Sequence, residues 1–334
     1  MTVDSELNST LLERVSDGIY FVTRDRHITY WNRGAEEITG FPAEEVAGRS
    51  CAEGILRHVT DAGRQLCLHG CPLAGVMKDG VPRTAEVYLH HKDGHRVPVT
   101  IRSEPIRDET GAITGAAEVF TSRLPNGPAQ ADRRLNDDAL DPVTGVATRR
   151  VGELHLESLV HAAAEGGQSL GVLFLDADHF KSINDTFGHG VGDQVLRMVG
   201  TSASSGLRAQ DQVIRWGGEE FLALLPGVAL GTLEAAAERI RMLVENSWIQ
   251  HGADQARLTV SIGATMALVD DSPQSLVDRA DHLMYASKHA GRNRVTSDSG
   301  ALVSHADPAL LGVGLPWEMP GAVDVDGFGR GSLV

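Results

Sequence analysis

The sequence predicts an α+β protein of two domains, and three observations support this prediction. The chain has 334 residues, about twice the ~150 residues of an ordinary domain. Its first third alternates short strand-like runs with polar turns, which is typical of an antiparallel sheet. The region after it alternates strand and amphipathic helix patterns, which indicates an α/β sandwich with a mostly antiparallel sheet. We therefore expect a first domain over residues 8–122, a linker over 123–137, a second domain over 138–298 and a tail over 299–334.

The composition excludes several classes of protein. Hydrophobic residues make up 42% of the chain, but no run approaches the ~20 apolar residues of a membrane-spanning helix. The N-terminus lacks the pattern of a signal peptide, and three cysteines do not form an even disulfide framework. The net charge of −15 supplies no cationic field for nucleic acid. We expect a cytoplasmic protein with neither a membrane nor a nucleic-acid partner.

The first segment predicts two strands, small helices and then three antiparallel strands. The runs GIYFVT and HITYWN form the first hairpin, and AEVYLHH, RVPVTIRSEPI and AITGAAEVFT follow, separated by Asp-Gly and Thr-Gly turns that tolerate positive φ. This segment resembles a PAS sensory domain. The residues that carry the resemblance are Asp17-Gly18-Ile19, Ile28, Trp31-Asn32, Ala35-Glu36, Gly40-Phe41, Glu44-Glu45 and Gly48.

The helical stretch of this segment contains all three cysteines of the chain, Cys51, Cys67 and Cys71, together with His58 and His69. Thiolates and imidazoles suit transition metals, which favours a metal, iron–sulfur or redox site. Buried thiols that act as small hydrophobic groups are the other interpretation. The spacing of fifteen and then three intervening residues matches no zinc pattern, and haem or flavin in a PAS pocket is a further candidate. The sequence leaves the ligand of this segment open.

Glycine and proline mark both segments outside the two domains. Pro125, Gly127 and Pro128 break any helix in the linker, which argues against a long coiled coil there. The tail contains ten glycines and prolines and few strong formers of helix or strand. We predict that the tail is disordered.

Acidic residues in the second segment predict a metal site. The apolar strand GVLFLDAD ends in Asp176 and Asp178, and Glu219 and Glu220 follow the two-glycine turn Gly217-Gly218. If the two strands are neighbours, three or four carboxylates converge, which is repulsive without a cation. With Mg²⁺ the same group forms an oxygen-ligand site that leaves room for substrate phosphates. A solvated acidic hairpin is the alternative.

Four ordered motifs make the second segment resemble the GGDEF family of diguanylate cyclases. They are Asp141-Pro142-Val143-Thr144-Gly145, residues 176–193, RWGGEEF at 215–221 and YASKHAGRNRV at 285–295. The resemblance implies a nucleotidyltransferase with a palm-like fold that joins two GTP molecules into cyclic di-GMP. Two residues depart from the family pattern, Thr148 and Ala177, and we expect only local effects of either.

The resemblance also implies a role for individual residues. Two Mg²⁺ or Mn²⁺ ions are expected on carboxylates and one carbonyl, supplied by Asp176, Glu219, Glu220 and Ala177; Glu220 is second ligand or base. Guanine is expected to be read by Asn184 and Asp193, whose carboxylate favours guanine over adenine. The triphosphate is expected on three cations and two backbone amides, from Lys181, Lys288, Arg292, His179 and Phe180. Gly217 and Gly218 keep the surface flat.

Each of these side chains also has a purely structural interpretation. Asn184 and Asp193 are typical of helix caps and first turns. Lys288 and Arg292 are four residues apart near a helix end, where positive charge complements the helix dipole.

The resemblance further implies assembly and feedback. Each domain binds one GTP, so two chains must face each other, and a homodimer is expected. Arg208, Asp211 and Arg239 match the family's inhibitory site for cyclic di-GMP, in which Arg clamps phosphate or guanine; a surface ion pair is the alternative. An inactive domain that only senses nucleotide is a second hypothesis, but the intact acids favour an enzyme. A bifunctional enzyme that also degrades its product lacks a second catalytic domain in this sequence.

Overall fold

The computed structural model describes residues 11–124, 139–299 and 302–303. Within these ranges the chain forms a five-stranded sheet, a seven-stranded sheet and a two-stranded ribbon. The predicted linker lies outside the described residues except at its first two positions, and the predicted tail lies outside them from residue 304. No helix among the described residues is both long and apolar enough to cross a bilayer.

The N-terminal sheet is antiparallel, as predicted. Its strands lie in the order β2-β1-β5-β4-β3 and are β1 (Gly18–Thr23), β2 (Ile28–Trp31), β3 (Arg83–His90), β4 (Arg96–Arg107) and β5 (Ile113–Ser122). The intervening segment holds α1 (Arg33–Thr39), α2 (Ala43–Val46), a 3₁₀ turn over Cys51–Glu53 and α3 (Pro72–Asp79). Residues 11–14 are helical and precede β1. These elements confirm the predicted order of two strands, small helices and three strands.

Asn32, the residue directly after β2, connects the first hairpin to α1. Its side-chain oxygen accepts the backbone N–H groups of Ala35 at 2.9 Å and Ile19 at 2.8 Å. Its amide donates to the carbonyl of Asp17 at 3.0 Å. One buried side chain therefore caps α1 and ties the helix to the start of β1, which satisfies donors that would otherwise be orphaned.

The C-terminal domain is an α/β sandwich around a mostly antiparallel sheet, which confirms the predicted fold class. The sheet order is β14-β13-β12-β7-β9-β8-β6, and its strands are β6 (Ala147–Thr148), β7 (Leu170–Ala177), β8 (Gln212–Arg215), β9 (Glu220–Pro226), β12 (Val260–Met266), β13 (Val295–Ser297) and β14 (Leu302–Val303). The ribbon consists of β10 (Ile249–His251) and β11 (Asp254–Ala256). The helices are α4 (Arg149–Ala164), α5 (Phe180–Phe187), α6 (His189–Ser205), α7 (Leu230–Glu245) and α8 (Pro273–His289).

The position of β7 in the middle of the sheet decides where the site forms. Every residue of β7 is buried, because α6 and α7 cover one face of the sheet and α4 and α8 cover the other. A strand that is buried on both faces reads as a continuous apolar run, and only its end reaches polar surroundings.

The pairing of β14 with β13 places a short strand within the predicted disordered tail, so that prediction is wrong for Leu302–Val303.

A fully buried arginine joins the two domains. Arg96 on β4 has no exposed surface, and its guanidinium donates to the carbonyl oxygens of Arg57 at 2.6 Å and Asn246 at 3.1 Å. The same guanidinium lies 5.5 Å from the ring centre of Trp248. His90 stacks on that ring at 3.6 Å. Charge-assisted hydrogen bonds of this kind are stronger than neutral ones, so they fix how the domains meet.

A small apolar cluster lies at the same interface. Val59 and Tyr88 of the N-terminal domain pack with Met242 and Leu243 of α7. Arg239 lies three and four residues before these two on α7, hence on the same face of the helix. The domain interface therefore continues along α7 toward one of the residues predicted to bind product.

Candidate active site

The two predicted acidic segments meet through strand pairing. β7 and β9 are antiparallel neighbours in which Asp176 lies opposite Glu220. The backbone N–H of Ala177 donates to the carbonyl of Glu219 at 3.1 Å. The turn before β9 is closed by the N–H of Trp216, which donates to the carbonyl of Glu220 at 2.9 Å. The sequence therefore brings acids that lie more than forty residues apart to one end of the buried sheet.

The two glycines of this turn differ in why they are glycine. A Cβ on Gly217 would lie 2.4 Å from the Oε2 atom of Glu220, whereas a Cβ on Gly218 would meet nothing within 4 Å. Gly217 therefore leaves space for the Glu220 carboxylate, and Gly218 leaves the surface above the turn open. Only the second of these fits the predicted role of a flat surface for substrate.

Burial makes the acidic group electrostatically unfavourable. Asp176 is 4% exposed; its Oδ2 atom lies 2.7 Å from the Nζ atom of Lys288, and its Oδ1 atom has no partner. Burial raises the pKa of Asp176 although Lys288 lowers it. Burial and then the charge of Asp176 raise the pKa values of Glu219 and Glu220. Asp281, which the sequence analysis missed, adds to this effect on Glu220.

The donor set fits Mg²⁺ that binds together with a phosphate ligand. The buried, unpartnered Oδ1 atom of Asp176 is a free carboxylate ligand. Within the described ranges, no three side chains of His, Cys, Asp or Glu converge as a ready-made metal site. Mg²⁺ commonly binds through one or two carboxylates and completes its shell with water and substrate phosphate. The observed arrangement suits that mode and not an all-protein cage.

Asp178 does not join the acidic group, so three of the four acids that the sequence offered lie together, and the fourth does not. Its carboxylate accepts hydrogen bonds from the hydroxyls of Thr259 and Ser261, each at 2.7 Å. It also accepts the backbone N–H of Asn293 at 3.1 Å. With 2% exposure, Asp178 ties the end of β7 to β12 and to the loop after α8, which is a structural role.

A cavity of about 490 Å³ opens beside the acids, which is within the usual size range of small-molecule sites. Six residues that the sequence predicts for metal or substrate line it: Phe180, Lys181, Asn184, Asp193, Gly218 and Glu219. The cavity thus joins the predicted base-reading pair to Glu219, one of the acids predicted to bind metal. His179, Gly217, Lys288 and Arg292 are not part of its lining.

The helical hairpin of α5 and α6 positions the pair predicted to read the base. Gly188, at φ 83°, separates the two helices, and Asn184 and Asp193 lie on either side of it. A Cβ on Gly192 would lie 1.9 Å from the Oδ1 atom of Asn184. Gly192 therefore allows the Asn184 side chain to occupy its place in the cavity.

Four lining residues were missed by the sequence analysis: Asp185, His189, Leu196 and Arg215. Leu196 lies three residues after Asp193 on α6, so helical periodicity was a usable signal for it. Arg215 donates to both carboxylate oxygens of Asp141, at 3.0 and 3.1 Å. It also donates to the carbonyl of Gly218 at 2.8 Å, so it fixes the turn that carries Glu219.

The contacts of Asp141 explain the first of the four motifs in physical terms. Its Oδ1 atom accepts the backbone N–H and the hydroxyl of Thr144, both at 2.8 Å. Burial raises the pKa of Asp141, but hydrogen bonds from Thr144 and Arg215 outweigh burial and leave it below the ordinary value. Asp141 is therefore an ionised anchor for Arg215.

The two predicted phosphate-binding residues near α8 are placed differently. Lys288, in the last turn of α8, contacts Asp176 as described above. Arg292 is exposed and has a positive φ of 61°; its N–H donates to the carbonyl of Ser287 at 3.0 Å. Lys288 thus lies at the acidic group, while Arg292 lies at the end of the helix outside the cavity.

The predicted product site is compact. The backbone N–H of Arg208 donates to the Oδ2 atom of Asp211 at 2.9 Å, and the side chain of Arg239 donates to the carbonyl of Gly206 at 2.8 Å. The Oδ1 atom of Asp211 is buried without a partner. Burial raises the pKa of Asp211, although Arg208 and Arg239 lower it.

A second, much smaller cavity of about 10 Å³ lies inside the N-terminal domain. Cys51, Cys67 and Cys71 all line it together with His58, and all three thiols are free. Burial raises the pKa of Cys51 to about 12 and that of Cys67 to about 11, and it also raises that of Cys71. The fold therefore brings together the three cysteines that sequence spacing alone left unassigned.

Comparison with known families matches both domains. Residues 138–294 match the family model described as diguanylate cyclase, GGDEF domain. Residues 16–122 match a PAS domain model.

Curated relatives share the C-terminal domain. The response regulator PleD of Caulobacter vibrioides is 42% identical over 167 residues, which is 49% of this chain and 37% of PleD. The diguanylate cyclase VdcA of Vibrio cholerae is 32% identical over 196 residues, 58% of this chain and 57% of VdcA. The chain therefore spans less than two thirds of the length of either relative. The solved GGDEF domain of DgcB from Caulobacter crescentus, in complex with c-di-GMP, is 35% identical with a TM-score of 0.47, over 48% of this chain and 96% of that one.

Proposed function

The chain belongs to the GGDEF family through residues 138–294 and to the PAS family through residues 16–122, and from this membership we propose that it is a diguanylate cyclase. It joins two GTP molecules into cyclic di-GMP and releases two pyrophosphates. The observation that carries the proposal is the cavity of about 490 Å³ that connects Asn184 and Asp193 to Glu219. A guanine fits beside Asn184 and Asp193, and a triphosphate fits at the end that Lys181 and Glu219 line.

Side chains of the cavity bind and orient the substrate. The carboxylate of Asp193 accepts from the N1–H and N2–H₂ groups of guanine, and Asn184 adds a second polar contact to the base. The Lys181 ammonium, exposed at the cavity lining, attracts the phosphates. Holding the reacting groups in this way converts a bimolecular encounter into an oriented one, which lowers the barrier by several kcal/mol, about 7 or more in well-oriented systems.

The acids hold metal and move a proton. Asp176, Glu219, Glu220 and the carbonyl of Ala177 are the residues that would hold Mg²⁺ or Mn²⁺. When bound, two such ions stabilise charge on the attacked phosphate and activate the 3′-hydroxyl. Glu220 takes the proton of that hydroxyl. The hydroxyl oxygen bonds to the α-phosphorus of the other GTP, and pyrophosphate leaves. The raised pKa of Glu220 suits a base that works near neutral pH.

Two chains are required for one turnover. The described residues of this chain form one such cavity, and each 3′-hydroxyl must attack the phosphate of the other GTP. We therefore propose an active homodimer with facing cavities. A linear dinucleotide results from the first attack, and the second attack closes the ring.

Regulation enters at two places. The contacts of Arg96 with Asn246 and Trp248 supply a direct route by which the PAS domain influences the cyclase domain. Cyclic di-GMP binds at Arg208, Asp211 and Arg239 and slows turnover. The unpartnered Oδ1 atom of Asp211 supports this, because a guanine N–H satisfies it.

The direct test is turnover by the purified chain with GTP and Mg²⁺, with products separated by chromatography. We expect cyclic di-GMP from the parent protein and none from Glu219→Ala or Glu220→Ala. The matched control is Glu157→Ala on α4, since Glu157 is exposed and lies on an element that does not line the cavity. Unreacted GTP or linear pppGpG alone, at concentrations where the chain is dimeric, would refute the proposal.

Product inhibition needs a separate experiment. Initial rates are measured while cyclic di-GMP is added, and Arg208→Ala is compared with the parent protein. We expect the parent to slow and the variant to continue at its starting rate. Equal behaviour of both proteins up to about millimolar product contradicts the assignment of this site.

A further inference from the structure

The cavity of the PAS domain is lined by an unusual set of metal-binding groups. Three thiols and one imidazole line it, those of Cys51, Cys67, Cys71 and His58, beside the carboxylate of Glu118. The 3₁₀ turn, the loop after it and the N-terminus of α3 supply these residues. The fold has thus placed every thiol of the chain in the lining of one cavity.

The imidazole of His58 lacks a hydrogen-bond partner. His58 is 5% exposed, and its Nε2 atom is buried with no partner; the nearest acid atom, Oε1 of Glu118, lies 3.7 Å away. Leaving a buried polar atom unpaired costs about 1–3 kcal/mol. A metal ion in the cavity that accepted the lone pair of the Nε2 atom would remove this cost.

A buried carboxylate adds the need for a cation. Glu118 is 1% exposed, and its two oxygens accept from the hydroxyls of Tyr20 at 2.7 Å and Ser103 at 2.9 Å. No Lys or Arg forms an ion pair with Glu118 in the part of the chain that the structure describes. Buried charges in proteins are paired or coordinate metals.

Cavity size separates the candidate ligands. About 10 Å³ is the volume that one water molecule needs, whereas organic ligands occupy cavities of about 300–1,000 Å³. Haem and flavin are much larger than this space, and a single ion is the ligand nearest to it in size.

We propose that the PAS domain binds one Zn²⁺ ion through Cys51, Cys67, Cys71 and His58. Three thiolates and one imidazole form a tetrahedral structural zinc site. Binding releases three thiol protons, and Arg26, which also lines the cavity, balances part of the negative charge. Glu118 supports the site from beside His58, as carboxylates often do for zinc-bound histidines.

Ion binding orders the site rather than filling a finished cage. As the side chains stand, no three acidic, His or Cys groups in the described ranges share a point at ligand distance. Zn²⁺ binding therefore requires the cysteine side chains to move closer together, and metal binding commonly drives such ordering. Val59, next to His58, belongs to the interface cluster with Leu243, so ordering of this segment reaches the cyclase domain.

The test uses the purified full chain and does not depend on turnover, so it succeeds or fails separately from the cyclase assay. After dialysis against Zn²⁺ and then buffer, metal analysis is expected to give one ion per chain. Zn²⁺ is expected to protect all three thiols from a thiol reagent, and a chelator to restore their reaction. Co²⁺ in place of Zn²⁺ is expected to show sulfur-to-metal charge-transfer absorption.

Variants identify the ligands. Cys51→Ser and His58→Gln are each expected to weaken Zn²⁺ binding by more than about 100-fold, since loss of supporting residues alone costs about 10–100-fold. The matched control is His69→Gln, which removes an exposed histidine of the same segment and is expected to keep full affinity. Thiols that react equally with and without Zn²⁺ in the parent protein would overturn the proposal. So would a His69→Gln loss equal to that of His58→Gln.

Discussion

Substitution of Gly192 by alanine is expected to weaken GTP binding while leaving the fold intact. The added Cβ would lie 1.9 Å from the Oδ1 atom of Asn184 and 3.3 Å from the ring of Phe180. The first contact is impossible, but Oδ1 is the end of a side chain that can rotate away. The Asn184 side chain must therefore leave its place in the cavity, and the contacts that we propose it makes to guanine are lost.

The size of the effect follows from those contacts. One or two hydrogen bonds to a base are worth about 1–3 kcal/mol in total, which corresponds to a rise in KM for GTP of about 5- to 150-fold. Replacing a helical Gly by Ala gains about 0.5–1 kcal/mol, which offsets the cost of moving Asn184. We therefore expect a Tm within about 3 °C of the parent, at 2–4 °C per kcal/mol.

The chain offers a matched control on the same helix. Gly190→Ala adds an identical methyl group two residues earlier in α6, where a Cβ meets nothing within 4 Å. Initial rates over a range of GTP concentrations are measured for both variants, and again in an Asn184→Ala background. The reasoning is refuted if Gly192→Ala keeps the parent KM, or if it adds the same penalty after Asn184 has been removed.

The remaining predictions concern the electrostatics of Asp176, the turn at Gly217-Gly218 and the domain interface. Burial raises the pKa of Asp176, so protons compete with a metal ion for its carboxylate at a higher pH than they do at an ordinary aspartate. Mn²⁺ affinity measured by calorimetry is therefore expected to fall as pH drops from 7 to 5, and a flat profile contradicts this. Without metal, the buried carboxylate of Asp176 lowers the free energy of unfolding as pH rises through its raised pKa. Mg²⁺ binds the ionised carboxylate, so added Mg²⁺ should raise Tm more at pH 7.5 than at pH 5. Arg215→Ala removes the anchors of Asp141 and Gly218 and should cost about 2 kcal/mol, read as a Tm lower by about 4–8 °C; an unchanged Tm speaks against the anchor. Arg96→Ala should open the domain interface, measured as faster proteolysis between the domains, with the exposed Arg102→Ala as a control that should not change it.

The sequence by itself determined the fold class and the end of the sheet where the proposed active site lies. Alternating patterns predicted the five-stranded sheet, because a half-buried strand must place every second residue in the core. The uninterrupted apolar run before Asp176 predicted a strand covered on both faces, since only complete burial tolerates it. These inferences depend on local periodicity, which can be recognised from neighbouring residues of the sequence alone.

Tertiary structure decided which polar groups face each other, because that depends on register and packing between distant segments. Pairing of β7 with β9 placed Asp176 opposite Glu220, while β12 withdrew Asp178 into hydrogen bonds with Thr259 and Ser261. Both aspartates follow the same apolar run in the sequence, and only the segments that pack beside each of them give them different surroundings. The three cysteines are the strongest case: their spacing matched no site, and only folding brought them to one cavity with His58.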